Sequence, residues 1–437
     1  MKQLLATCGD YHLVGLDQAA FIFSTSSCTV CELSIPPVDK KSGENNQNQN
    51  KSEDLNEVQA VGLCQSTSNP SEYWCAVSRL DKRLSIYQWN STAKEQDTKL
   101  EATVVYQATK RAVHMCFATI PSKSTSVEGT LCLVTGDLAG DVFAYSLATK
   151  KSKLLLGHTA SMLTGVAVLG NRILSADRDE KVRVSRFPQS CVIEGYLLGH
   201  QQYITSMDTL VLESGLQLVA TCGGDSTIRL WNLETLEQLS EMECPKDEKD
   251  DTPLIPIRIA LHPKGTMLAV IYDLSDRLDL YSIESSSDAK DAKDAKDASI
   301  GELLHTTKCA ANLLSVLFKD DDVLLTLQKE PNYLIAIEVT DSSLSLVKDA
   351  TSSICQKASE SDIKLPDNIL ERDNWGNIKL KKLNETRGPA GDDVPWNRIE
   401  RVDIARERQK RHKKRKVAEK IEAKKKEQQV EKATVSE

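Results

Sequence analysis

Two sets of residues in this chain could carry chemistry. His158, Ser175 and Asp179 follow one another along one stretch, and His200, Thr221 and Asp225 along the next, with the histidines 42 residues apart. A histidine, a hydroxyl and an aspartate are the parts of a nucleophilic triad. They are equally the parts of a buried hydrogen-bonded chain that ties neighbouring strands together, and such a chain must form completely or cost stability. Repetition favours architecture, because a reaction needs one centre. Each set is also opened by Gly-His and closed by a short strand-like run, Lys181-Val182-Arg183-Val184-Ser185 in the first and Thr227-Ile228-Arg229-Leu230-Trp231 in the second. Trp231 extends the second chain to His200, Thr221, Asp225 and Trp231. Ser185 stands at the matching place in the first, so that chain is expected to be partial. A period in the low forties, with Gly-His in front and an aromatic behind, is the pattern of a β-propeller blade.

The closing strand recurs along the chain. Phe21-Ile22-Phe23, Leu84 to Tyr87, Val142 to Tyr145, the two central copies, Leu278 to Tyr281 and Leu334 to Ile337 make seven. Turn clusters alternate with these runs, and nothing before residue 398 has the spacing of a long amphipathic helix. The sequence therefore predicts an all-β, seven-bladed propeller over residues 1–349, with six or eight blades as the alternatives. Polar insertions at 39–54, 246–256 and 285–299 lack the apolar content that would offset the entropy of ordering them and are expected to be mobile. Residues 350–397 read as a linker whose Trp375 and Trp396 either dock on the propeller or a partner, or pack locally. Residues 398–437 begin with a stretch free of Gly and Pro and rich in Glu, Lys, Arg, Ala and Gln, a helix-forming composition. Its apolar residues are too sparse for a core-facing stripe.

Composition narrows the function. Charged residues are 27% and apolar ones 40%, the balance of an ordinary water-soluble protein. No run of about 18 apolar residues is present, and the N-terminus lacks a basic-apolar-small leader, so a soluble intracellular protein is expected. The twelve cysteines are scattered, and Cys28-x-x-Cys31 has no second pair to complete a zinc site, so reduced thiols and no metal are expected. No phosphate-binding loop, Gly-x-Ser-x-Gly elbow or His-Glu-x-x-His helix occurs, and Gly223-Gly224 falls inside a blade turn. No cofactor is expected on this chain, and a binding role is favoured over an enzyme.

The net charge of −8 hides an asymmetry. Residues 400–432 hold 14 Lys/Arg against 7 Asp/Glu, which leaves 41 basic and 56 acidic residues on the rest. The densest part is Arg406, Arg408, Lys410, Arg411, Lys413, Lys414, Arg415 and Lys416. A run of this kind attracts nucleic-acid phosphates without reading sequence, and it matches a nuclear-import signal. A nuclear protein, or one shared between nucleus and cytoplasm, is expected; a plain solvated tail is the alternative.

The turn Asp177-Arg178-Asp179-Glu180-Lys181-Val182-Arg183 is unusually charged for a blade, and alternating charges on a rim can pair across an interface. The stretch Ala176 to Ser185, followed by the second Gly-His, resembles the WD-repeat non-catalytic subunit of the tRNA (guanine-N7-)-methyltransferase. The resemblance is specific over the middle blades, looser for the propeller length and the basic C-terminal extension, and does not extend to the insertions at 39–54 and 285–299. It implies a heterodimer: a catalytic partner carries the S-adenosylmethionine site and methylates a guanine in the tRNA variable loop. This chain would hold that partner active and help seat the tRNA, with Arg178, Glu180, Lys181 and Arg183 facing it. Lys181→Glu is then expected to weaken the heterodimer and leave the propeller folded. The competing reading is a general WD-repeat interaction scaffold in nuclear RNA or ribosome assembly.

Overall fold

Runs of Val, Ile, Leu and aromatic residues separated by two- to four-residue turns can bury a pleated face only against another sheet. The computed structural model shows how this chain does so. It describes residues 2–24, 30–36, 56–92, 99–121, 129–159, 161–247, 251–285, 298–328, 334–340 and 343–347. Among them are seven four-stranded antiparallel sheets, each a meander in which a strand pairs only with its neighbours in sequence. The seven runs picked from the sequence are the third strands of blades 1 to 7. The aromatic that ends five of the seven runs packs inward: Phe23, Tyr87, Tyr145, Trp231 and Tyr281 are all buried.

The first strands of successive blades lie side by side around the axis, and the first strand of blade 1 (Leu5–Cys8) meets that of blade 7 (Leu313–Phe318), which closes the ring. Every described blade is one contiguous piece of chain, so closure comes from side chains. Leu13, Phe21 and Ile22 of blade 1 share one apolar cluster with Leu313, Leu324 and Ile337 of blade 7. Similar clusters fill the other wedges, as where Leu218 and Leu230 of blade 5 meet Ile259 and Leu268 of blade 6. The core is thus a ring between blades.

In blades 2 to 7 the first strand carries a register shift near its outset, for example between Leu163 and Gly165, Ile204 and Ser206, and Pro256 and Arg258. A bulge of this kind sharpens the local twist and re-aims the residue that follows it. Lys2 to Leu4 run beside the first strand of blade 2 (Val58–Gln65), with Gln3 N–H donating to Gln59 O and Val61 N–H to Gln3 O. The Gln3 side-chain amide then pairs with both backbone groups of Met115 in blade 3.

The insertion at 39–54 and most of that at 285–299 lie outside the described residues. The stretch 246–256 is described at both ends, and these form a closed turn. Lys246 Nζ meets Asp251 at 2.9 Å, and Leu254 N–H donates to Pro245 O. Pro256 already belongs to the first strand of blade 6 (Pro256–Leu261). The last described strand ends at Val347; the linker with Trp375 and Trp396 and the basic segment from residue 398 lie outside the described residues.

Candidate partner-binding site

In blade 5, His200 sits in the loop that enters the sheet, Thr221 on the second strand (Gln217–Gly223) and Trp231 on the third (Thr227–Asn232). Trp231 Nε1–H donates to Thr221 Oγ1 at 2.8 Å, and Thr221 Oγ1 lies 2.8 Å from His200 Nε2. The Asp225 carboxylate only accepts, so His200 donates to it from Nδ1 at 3.1 Å, and in the neutral ring Nε2 then accepts from the threonine hydroxyl, whose oxygen accepts from the indole. Burial would raise the pKa of Asp225, but the hydrogen bond and charge of His200, the Gln201 N–H and the Thr227 hydroxyl overturn this and hold it at about 2. The chain is fully satisfied and offers no free nucleophile.

Blade 4 corrects the sequence reading. His158 Nε2 lies 2.8 Å from Ser175 Oγ, but its Nδ1 lies 2.7 Å from Asp177, not Asp179. Asp179 is the turn residue whose N–H donates to Asp177 Oδ1 at 2.9 Å. Counting back from the strand aligns Asp179 with Asp225, yet the ladder places Asp177 at the end of its second strand, opposite Leu163. In blade 5 that place belongs to Gly223, opposite Ile204, and a Cβ there would come within 3.0 Å of His200 Nδ1. A strand-end carboxylate and a turn carboxylate therefore serve the same histidine position, and each blade uses one. With Ser185 in place of a tryptophan, nothing among the described residues donates to Ser175 and the blade 4 chain is shorter at its hydroxyl end, as expected; at its carboxylate end it gains Lys181, whose Nζ lies 2.8 Å from the fully buried Asp177. Burial pushes Asp177 up, but the bonds from His158 and Lys181 win and hold its pKa below the usual value. Ser185 accepts from Arg183 Nε at 2.9 Å.

The structure divides the four residues expected to face a partner. All are partly buried. Arg178 and Glu180 occupy the turn itself, where Arg178 N–H donates to Met162 O and Glu180 takes a left-handed φ of 72°. Lys181 and Arg183 point their charges inward. Beyond Lys181's bond to Asp177, the Arg183 guanidinium reaches Ser190 O at 3.1 Å and Gly157 O at 3.4 Å, which ties blade 4 to the end of blade 3. Charge reversal at Lys181 would set a carboxylate beside buried Asp177. Lys181→Glu would therefore cost blade stability as well as alter the turn, so it does not test the interface alone.

Sequence reasoning missed what lies next to this turn. The fourth strand of blade 4 (Ile193–Leu198) sets Leu198 opposite Lys181 and Tyr196 opposite Arg183. Leu198 is 66% exposed and Tyr196 39%. Exposed apolar side chains beside a charged turn make a rim-and-core arrangement of the kind protein interfaces use. A second omission is the network of blade 6, where fully buried Asp279 accepts from Tyr272 Oη, Thr306 Oγ1 and Arg277 Nε, each at 2.8 Å. No Gly-His precedes it, so the blade pattern gave no signal.

Gly223-Gly224 also acquires a structural role. A Cβ on Gly224 would fall 2.4 Å from the ring of Tyr203, and Gly224 N–H donates to Tyr203 O. Among the described residues no group of three or more His, Cys, Asp or Glu could hold a metal. Burial raises the described thiols that shift, with Cys116 and Cys222 pushed up to about 12. No described helix is long and apolar enough to cross a membrane. The basic run Arg406 to Lys416 lies outside the described residues.

A family model described as the tRNA methyltransferase TRM82 WD40 domain matches residues 148–290. That stretch runs from the end of blade 3 through blades 4 and 5 into blade 6 and contains the charged turn. The chain is 31% identical over 156 residues to the tRNA (guanine-N(7)-)-methyltransferase non-catalytic subunit wuho of Drosophila mojavensis, covering 35% of this chain and 39% of that protein. It is 32% identical over 171 residues to the non-catalytic subunit of Caenorhabditis elegans, covering 37% and 41%. It is 25% identical over 255 residues to the non-catalytic subunit wdr4 of Dictyostelium discoideum, covering 49% and 53%. The matched stretches thus span about half or less of these relatives' own lengths. The resemblance read from Ala176 to Ser185 is the one these comparisons return. Among solved structures, that of U3-55K superposes with a TM-score of 0.52 at 14% identity, covering 75% of this chain and 89% of that one. A likeness at that identity shows the propeller fold alone.

Proposed function

We propose that this chain is the non-catalytic subunit of a tRNA (guanine-N7-)-methyltransferase. It binds the catalytic subunit, keeps it in an active arrangement and helps seat the tRNA, while the S-adenosylmethionine site belongs to the partner. The observation that carries this reading is the family-model match over residues 148–290, centred on the blades that bear the charged turn. The partner contacts Arg178 and Glu180 on the turn and Leu198 and Tyr196 beside it. Lys181 and Arg183 act from within, as the posts that hold the turn in shape. The basic run Arg406 to Lys416, read from sequence alone, adds non-specific attraction for tRNA phosphates and directs the protein to the nucleus.

The test is a methylation assay with labelled S-adenosylmethionine and tRNA, using this chain, a candidate catalytic subunit, and both together. Activity only in the mixture is the expected result. Activity from the catalytic subunit alone, undiminished by omitting this chain, would overturn the proposal.

A further inference from the structure

The recurring bulge in the first strands has a geometric consequence. The residue just past the shift faces the axis in five of the six blades that have one. In blades 3 to 7 these residues are His114, Gly165, Ser206, Arg258 and Ser315. All five line one cavity of about 230 Å³ on the propeller axis. The chain thus sets a ring of hydrogen-bond donors around the channel, with Gly165 at the blade 4 position.

The ring is electrically incomplete. Arg258 is 8% exposed, its Nη1 donates to Thr205 O at 3.3 Å and its Nη2 to Lys2 O, and it has no carboxylate partner among the described residues. A buried guanidinium without an anion is costly. Burial draws its pKa down to about 10. His114 is 4% exposed and its Nε2 has no hydrogen-bond partner among the described residues. The hydroxyls of Ser206 and Ser315 make no hydrogen bond with any described residue. The carboxylate on the cavity wall is Asp208, whose oxygens accept from Leu261 N–H and Thr209 N–H. Asp208 lies three residues along its strand from the Thr205 carbonyl that Arg258 grips, about 10 Å at strand rise. It does not complete the ring.

We propose that the channel binds a free tetrahedral oxyanion of the phosphate and sulfate class, held by the Arg258 guanidinium, His114 Nε2 and the hydroxyls of Ser206 and Ser315. A planar guanidinium matches two oxygens of such an ion side by side, and the donors from blades 3, 5 and 7 address the others. The cavity has room for about seven waters at roughly 30 Å³ each, enough for a five-atom oxyanion and some of its hydration but too little for a nucleotide. The ion would bridge four blades across the axis and so stiffen the ring from its centre.

The experiment uses the full-length chain, titrated with potassium phosphate, potassium sulfate or potassium chloride at matched ionic strength, with melting temperature and calorimetric heat as readouts. A saturable rise of about 2 °C with phosphate or sulfate, absent with chloride, is expected. The His114 ring, whose pKa is held well below its ordinary value by burial first and by nearby positive charge including Arg258, should titrate higher with the ion bound. Arg258→Gln should weaken binding at least about tenfold. Should that variant not fold, Ser315→Ala, which removes one donor, should weaken it about threefold or more. Equal responses to chloride and phosphate, or phosphate binding unchanged in the folded variants, would overturn the proposal and leave a channel filled by water only.

Discussion

Replacing Asp177 by alanine removes three interactions from a site with no solvent access. Its carboxylate accepts from His158 at 2.7 Å, from Lys181 at 2.8 Å and from the Asp179 N–H at 2.9 Å, and the side chain is 0% exposed. Hydrogen bonds to a charged group contribute about 1.5–3 kcal/mol each, and removing one member of a buried charged pair costs about 3–5 kcal/mol. The ammonium of Lys181 is 30% exposed and can recover water, which limits the loss. A destabilisation of about 3–4 kcal/mol follows. For a cooperative unit of about 300 residues, with about 2.1 cal/mol/K of unfolding entropy each, this lowers the melting temperature by about 5–6 °C. Asp179→Ala removes a partly buried turn carboxylate that makes no hydrogen bond among the described residues, and should stay within about 0.5 kcal/mol. Urea titration and calorimetry on the wild type and the two single variants separate the cases. Equal losses in both, or a larger loss for Asp179→Ala, would refute the assignment of Asp177 to the blade network.

Other expectations follow from the same geometry. Leu198→Asp changes a side chain that is 66% exposed, so it should leave the melting temperature within about 1 °C while cutting co-purification of the catalytic subunit about tenfold or more; unchanged capture would remove Leu198 from the interface. Trp231→Phe loses the donor to Thr221 Oγ1 and should cost about 1–2 kcal/mol in denaturant unfolding. Asp225, held at about 2 in the folded chain against an unfolded value near 3.9, contributes stability that is present above about pH 4 and lost as pH falls toward 2. The contribution is about 2 kcal/mol, so Asp225→Asn should flatten the acid limb of a stability-pH curve between those values; a curve parallel to wild type would count against it. Gly224→Ala forces a methyl into the ring of Tyr203, which is 1% exposed and cannot swing aside, and should lower stability by about 1–3 kcal/mol without altering the charged turn.

The sequence determined by itself the parts that repeat. Gly-His at a 42-residue interval, the alternation of apolar strands with turns, and the inward aromatic at Phe23, Tyr87, Tyr145, Trp231 and Tyr281 each mark a local unit that cannot bury its face alone. Seven such units imply the ring. The His200, Thr221, Asp225 and Trp231 set was legible for the same reason, because each member recurs at its usual offset. The charged turn was legible as a composition, and the family resemblance rested on it.

What only the tertiary structure decided are relations between blades and between strands, which no spacing along one strand encodes. Asp177 displaces Asp179 because the ladder, not the distance to the next strand, fixes which carboxylate meets the histidine. Lys181 and Arg183 look like surface charges in sequence, yet their partners come from the preceding strand and the preceding blade. Leu198 lies next to the turn through a register pairing across seventeen residues. The channel ring of His114, Ser206, Arg258 and Ser315 is the extreme case. These residues are more than fifty apart in the chain, sit in strands that read as ordinary apolar runs, and converge only because a bulge recurs in the first strands of blades 2 to 7 and the blades are arranged around one axis.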